Sequence, residues 1–167
     1  DFFDYLISED SLQISIAVGD VSGKGLRGAM NAVMSSGILR LSSKRESDIS
    51  IVMSEVNVSL CESMEQDMNV TMILTQFDTE EKQMTLANAG QHAYPLLIRN
   101  GNVEPVKAKG LALGMIPTIP YKSTTVDLES GDLLLLMTDG ITEPRNAEGV
   151  MSEGSGRLNE VLSNIPV

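Results

Sequence analysis

The stretch AVGDVSGKGLRGAM, residues 17–30, decides the fold, because two architectures begin this way. Its GKGLRG, Gly23 to Gly28, has the G-x-G-x-x-G spacing of a dinucleotide-binding turn, with an apolar strand before it and a helix after it. That architecture also needs a second parallel strand beyond the helix, ending near an acid about 20 residues on that holds a ribose. Glu46 and Asp48 stand at that distance, but LSSKRESD, residues 41–48, is polar, and buried parallel strands are apolar. A second helical pattern follows where the strand belongs. Asp20, just ahead of the glycines, would moreover repel a pyrophosphate drawn to the helix start. A P-loop fails too, since Gly25 follows Gly23-Lys24 where Ser or Thr is needed and Val18 replaces the first glycine. A nucleotide-binding domain is thus the remote alternative, and Asp20 is the residue to explain.

Outward from this turn, LQISIAV (12–18) alternates in the manner of a strand. From Leu26 to about Leu41, Met30, Val33, Met34, Ile38 and Leu41 recur at helical spacing and predict a core-facing stripe. A second helix starts at Ser47 as N-cap, with Ile51, Val52, Val56 and Leu60 along one face. The period then changes to two. MNVTMILTQFD (68–78) and QMTLANAG (83–90) flank the turn DTEEK, and the Asn-Gly of RNGN (99–102) suits a type I′ hairpin. Residues 123–140 give two more strands about ESGD, and EGSGRLNEVLSN (153–164) gives a short amphipathic helix. The pattern predicts an α+β fold, helices packed on antiparallel sheets. The ten methionines, spread through both helices, read as adaptable core filler.

The chain has 167 residues, a length that suits one domain with a real core. Its 12 basic against 23 acidic residues give a net charge of −11, which argues against nucleic acid or an anionic membrane as partner. The longest apolar run, LLLLM (133–137), is far short of a membrane span. Cys61, the sole cysteine, has no internal disulfide partner and reads as a structural thiol in a reducing, cytoplasmic setting. The opening DFFDYL, without methionine, suggests a piece of a longer protein.

Asp139, in LLLLMTDGITE, is presented much as Asp20 is, just past an apolar strand and before a glycine. Each carboxylate either caps its own turn or, if the strands are neighbours, shares a divalent cation that offsets a repulsion of about 4 kcal/mol at ~4 Å. Oxygen ligands suit Mg²⁺ or Mn²⁺. Zinc is disfavoured, because His92 is the only histidine and Cys61 the only thiol. A pair of such ions activates a water and holds a phosphate for in-line attack.

DFFD, VGDVSGKG, LANAGQHAYPLLI, GLALGM, SGDLLLLMTDGITEPRNAEG and GRL occur in the order and spacing of a known family. Over nearly its whole length the chain resembles the bacterial PPM (PP2C-like) serine phosphatases of the SpoIIE/RsbU type. The resemblance implies a single domain over residues 1–167: an αββα four-layer sandwich of two antiparallel sheets flanked by helix pairs. It also implies truncation at both ends, without the first strand and without a C-terminal strand bearing an Asp-Asp pair. Two Mn²⁺ or Mg²⁺ ions are implied, with Asp20 as bridging ligand, the Val21 backbone carbonyl, Asp139, and Asp1 directly or through water. Asp20 and Asp139 would thereby serve catalysis, through a metal-activated water that hydrolyses protein phosphoserine or phosphothreonine. Asp4 and Lys24 fall within motifs but read as solvated or turn-stabilising. The implied substrate is a STAS-domain anti-anti-sigma factor in a partner-switching pathway, under an upstream sensor domain, with residues 25–41 and 47–66 relaying regulation. The rival reading is a non-catalytic protein-binding module of the same fold. Three departures stand out. Gln91 replaces the His that usually follows NAG, leaving His92 as a surface or turn residue. Arg27 and Gly28 replace Pro and Ala, adding a positive charge near the site. No Asp-Asp pair occurs before Val167.

Overall fold

The structure, a computed structural model, describes residues 1–8, 12–142 and 157–165. The chain divides into two compact units, residues 1–91 with 108–127, and residues 92–107 with 128–167.

The first unit holds a five-stranded antiparallel sheet in the order β1-β2-β3-β4-β7. Its strands are β1 (Phe2–Ile7), β2 (Gln13–Val21), β3 (Val70–Asp78), β4 (Gln83–Ala89) and β7 (Ser123–Asp127). Helices α1 (Gly25–Ser43) and α2 (Ile49–Ser63) cover one face. Alternation on β2 turns Ala17 and Val21 into the core between sheet and helices, where they meet Leu39 of α1 and Val52, Met53, Val56 and Leu60 of α2. Fully burying one such aliphatic side chain is worth roughly 1.5–3 kcal/mol. Asn57, buried on α2, ties the loop at residues 114–116 to this core. Its amide donates to the Ile116 carbonyl at 2.8 Å and accepts from the Gly114 N–H at 3.0 Å.

Several expectations are corrected here. β2 runs on through Asp20 and Val21, so Asp20 lies within the strand, because the pairing with β3 continues to Asp20↔Thr71 and Val21↔Val70. The stripe on α1 faces the core only in part: Met34 and Ile38 are half-buried against it, Met30, Val33 and Leu41 are exposed, and the fully buried positions are Ser35, Leu39 and Ser42. Small hydroxyl residues let the helix approach the sheet closely, and the Ser35 hydroxyl satisfies itself on the Asn31 carbonyl at 2.7 Å. Asp48, not Ser47, caps α2, its carboxylate accepting from the Ser50 N–H, and Ile51 is exposed. Asp4 is buried rather than solvated, held by Ser36 and Arg40 of α1.

The second unit holds the antiparallel sheet β6-β5-β8, built from β5 (Leu96–Arg99), β6 (Asn102–Pro105) and β8 (Leu133–Leu135). The strands either side of ESGD therefore join different sheets and do not form a hairpin with each other. The RNGN hairpin forms as its residues dictate, with Asn100 and Gly101 at φ 51° and 76°, the left-handed pair a type I′ turn needs. Short helices α3 (Asp139–Thr142) and α4 (Arg157–Ser163) complete this unit. The motif residues 143–149 and Gly156 lie outside the described residues, as does Val167.

Candidate metal centre

The register of β1 on β2 pairs Phe2 with Gly19 and Phe3 with Val18; carried one residue further, it sets Asp1 opposite Asp20. Their carboxylate oxygens lie within 4.8 Å of each other. Both acids stand on the face of the sheet away from α1 and α2, opposite to Ala17 and Val21. Asp20 is half-buried and Asp1 exposed. Two carboxylates at this separation repel by roughly 3–4 kcal/mol at an effective dielectric near 20. Oxygen donors so placed fit a hard divalent cation, which turns the repulsion into attraction.

The turn after β2 is fixed from outside. The Ser22 N–H donates to the Asn69 carbonyl at 2.9 Å, and the Asn69 N–H donates to Ser22 Oγ at 2.7 Å. The glycine-rich turn is thus stapled to the chain entering β3, with Asp20 and Val21 held just before it. Arg27 does not offer its charge to the site. It pairs with Glu65 and, at 3.1 Å, with Asp67, bracing the start of α1 against the end of α2. Lys24 is the exposed N-cap residue of α1 and makes no side-chain cap.

Three residues that sequence reasoning did not assign adjoin Asp20 or its neighbour. Thr71 is its cross-strand partner on β3, and the Thr71 hydroxyl donates to Gln91 Oε1 at 2.5 Å. Gln91 is buried, and Asn88 holds its backbone at both ends: Gln91 N–H to Asn88 Oδ1 at 2.8 Å, and Asn88 Nδ2 to the Gln91 carbonyl at 2.9 Å. Gly90 makes this possible with φ 76°, in a place where a Cβ would lie 2.7 Å from the Ala112 amide nitrogen. The motif LANAGQ (86–91) was the available signal, but only the register shows that it abuts Asp20's neighbour. His92 is exposed, as expected.

Asp139 belongs to the second unit, where it opens α3 and is exposed. Cys61 is a free, half-buried thiol whose pKa is pushed up by burial. Among the described residues no helix is long and apolar enough to cross a membrane.

The antiparallel sheets and their helices have the fold of a PP2C-like domain. The solved SiaA-PP2C domain of Pseudomonas aeruginosa shares the fold at TM-score 0.82 and 22% identity, over 98% of this chain and 65% of that one. The RsbU and RsbW domains of Rv1364c from Mycobacterium tuberculosis match at TM-score 0.82 and 21% identity, over 98% and 45%. More particularly, residues 10–166 match the sequence model of the family described as stage II sporulation protein E, and the chain belongs to the SpoIIE family. The phosphoserine phosphatase RsbU of Bacillus subtilis is 31% identical over 150 residues, 88% of this chain. The chain spans 44% of RsbU, less than half of that relative's length.

Proposed function

We propose that this domain is a metal-dependent protein phosphatase that hydrolyses phosphoserine or phosphothreonine. The observation that carries the reading is the juxtaposition of Asp1 and Asp20 on adjoining strands, with ligand oxygens within 4.8 Å. Membership of the SpoIIE family supports it, as does similarity to a phosphoserine phosphatase. In this reading Asp20, Asp1, Asp139 and the Val21 carbonyl would hold two Mn²⁺ or Mg²⁺ ions, with Asp20 as the shared ligand. Bound there, the ions would lower the pKa of a water and offset charge on the phosphoryl group. The chain's own contribution is to hold Asp20 rigidly: the β2–β3 ladder fixes its backbone, and the Ser22–Asn69 staple fixes the turn that follows. The substrate is a phosphorylated STAS-domain anti-anti-sigma factor in a partner-switching pathway, with an upstream sensor domain governing access in the cytoplasm.

The test is hydrolysis of a phosphoserine peptide with added Mn²⁺. Asp20→Asn should cut turnover at least ~100-fold at saturating metal, since the bridging charge is lost at the reacting centre. The variant should keep the wild-type far-UV spectrum. Near wild-type turnover in Asp20→Asn would overturn the ligand assignment; no hydrolysis by the wild-type chain would favour the non-catalytic binding module.

A further inference from the structure

Asp4 is a carboxylate buried to 3% exposure on the helix-facing side of β1. Isolated, such a charge costs several kcal/mol, and the cost is met here by convergent donors. Ser36 Oγ donates to Asp4 Oδ2 at 2.6 Å, the Arg40 guanidinium pairs with Oδ1, and the Tyr5 N–H donates to Oδ1 at 2.8 Å. Ser36 and Arg40 stand four residues apart on α1, one helical turn, so both reach the same carboxylate. The result is a polar clamp joining α1 to β1.

We propose that Asp4 is a positioning residue for the metal-binding carboxylates: its clamp on α1 sets the register of β1 and thereby the place of Asp1 against Asp20. The inference rests on the reading of Asp1 and Asp20 as ligands. Among the described residues β1 lies at the edge of its sheet and pairs with β2. Backbone ladders fix the spacing of strands but not their register, which the closing turn, here the Ser8–Gln13 hydrogen bonds, and the side chains on the buried face specify together. On that face Phe2 and Leu6 pack against the core, and Phe2 lies close over Gly19, but apolar contacts lack the directionality of hydrogen bonds. Asp4 supplies that directionality. A slip of one residue would turn Asp4 out of reach of Ser36 and Arg40 and turn Asp1 to the opposite face from Asp20. A slip of two would preserve the faces but carry Asp4 ~7 Å along the strand from its donors. Asp1 lies one residue beyond the end of β1, so it inherits whatever register the clamp enforces.

The experiment compares Asp4→Asn, Arg40→Gln and the double variant, in the 167-residue chain, for thermal unfolding without metal and for Mn²⁺ affinity by titration calorimetry. Arg40→Gln should lose the most stability, since it strands a buried carboxylate. The double variant, with both charges gone, should recover most of that loss. Positioning predicts that the double variant, though stable, binds Mn²⁺ at least roughly tenfold more weakly, the scale on which groups supporting metal ligands act. Arg40→Lys, which keeps a cation at the clamp, should restore part of the affinity, and Ser36→Ala should weaken binding by less than Arg40→Gln. A stable double variant with wild-type Mn²⁺ affinity would overturn the positioning role and leave the ligand assignment standing. Should Asp20→Asn bind Mn²⁺ as tightly as wild type, the ligand assignment falls and the proposal falls with it.

Discussion

Asp132 shows how a single residue can organise a short sheet. It is nearly buried and takes both arms of the Arg99 guanidinium, at 2.8 Å from Nε and 2.6 Å from Nη2, while the Glu129 N–H donates to it at 2.8 Å. The strand β5 is thereby tied to the turn that feeds β8. Hydrogen bonding to Arg99 holds the Asp132 carboxyl below its usual range, against the opposing effect of burial. A carboxyl whose folded pKa is depressed stabilises fully above its unfolded value, about 4, and the contribution disappears as pH falls through the folded value. Denaturant unfolding of the wild type should therefore lose stability between about pH 5 and pH 3 more steeply than that of Asp132→Asn. Parallel slopes would mean that the pair contributes no pH dependence. Neither this pair nor Asp4 with Arg40 was legible in the sequence. Their members are 33 and 36 residues apart, and a lone acid has no pattern to reveal its partner. Asp20 and Asp139 were legible as candidates because each follows an apolar run of sequence and precedes small residues, although Asp20 itself lies within β2. Asp1 was legible beside Asp20 only through the family resemblance, since the residue pattern alone does not set the β1–β2 register that brings the two together.

Helix α1 poses the question of which face is the core. Its most apolar stripe, including Leu26, Met30 and Val33, is exposed, and Leu39 is the fully buried anchor between Ser35 and Ser42. Val33→Lys should accordingly change stability by no more than about 0.5 kcal/mol, whereas Leu39→Ala should cost about 2–5 kcal/mol through lost burial and a cavity. Urea titration of the two variants decides between the faces, and the reverse order would return the stripe to the core. Hydropathic period located this helix to within a residue or two at each end, but period alone does not say where a stripe points. On α2 the same reasoning succeeded at Val52, Val56 and Leu60 and failed at Ile51, which lies beyond the edge of the buried face. The strands read more cleanly because their turns carry specific chemistry: Asn100-Gly101 adopts its paired positive φ, and the Asp78 carboxylate accepts from the Glu80 and Glu81 N–H groups to close the turn into β4. ESGD is flanked by two strands as expected, but a good turn does not fix which sheet each arm then joins.

For the whole molecule, the net charge of −11 means that any added salt favours the compact state by screening self-repulsion. A specific metal effect must be separated from that background. A ligand that binds only the folded chain stabilises it by about 2.7 kcal/mol when present at 100 times its Kd. For a chain of this size that is a rise in Tm of roughly 5–10 °C. The effect should appear with MnCl₂ or MgCl₂ and be largely missing with NaCl at matched ionic strength, since screening does not distinguish a site from the rest of an acidic surface. It should also require Asp20, whose neighbour Asp1 shares the repulsion that a cation relieves. In Asp20→Asn the divalent and monovalent salts should therefore give the same small shift. Differential scanning fluorimetry of both proteins in the three salts makes the comparison. An equal MnCl₂ response in wild type and variant would place the cation on the general acidic surface and remove Asp20 from the metal centre.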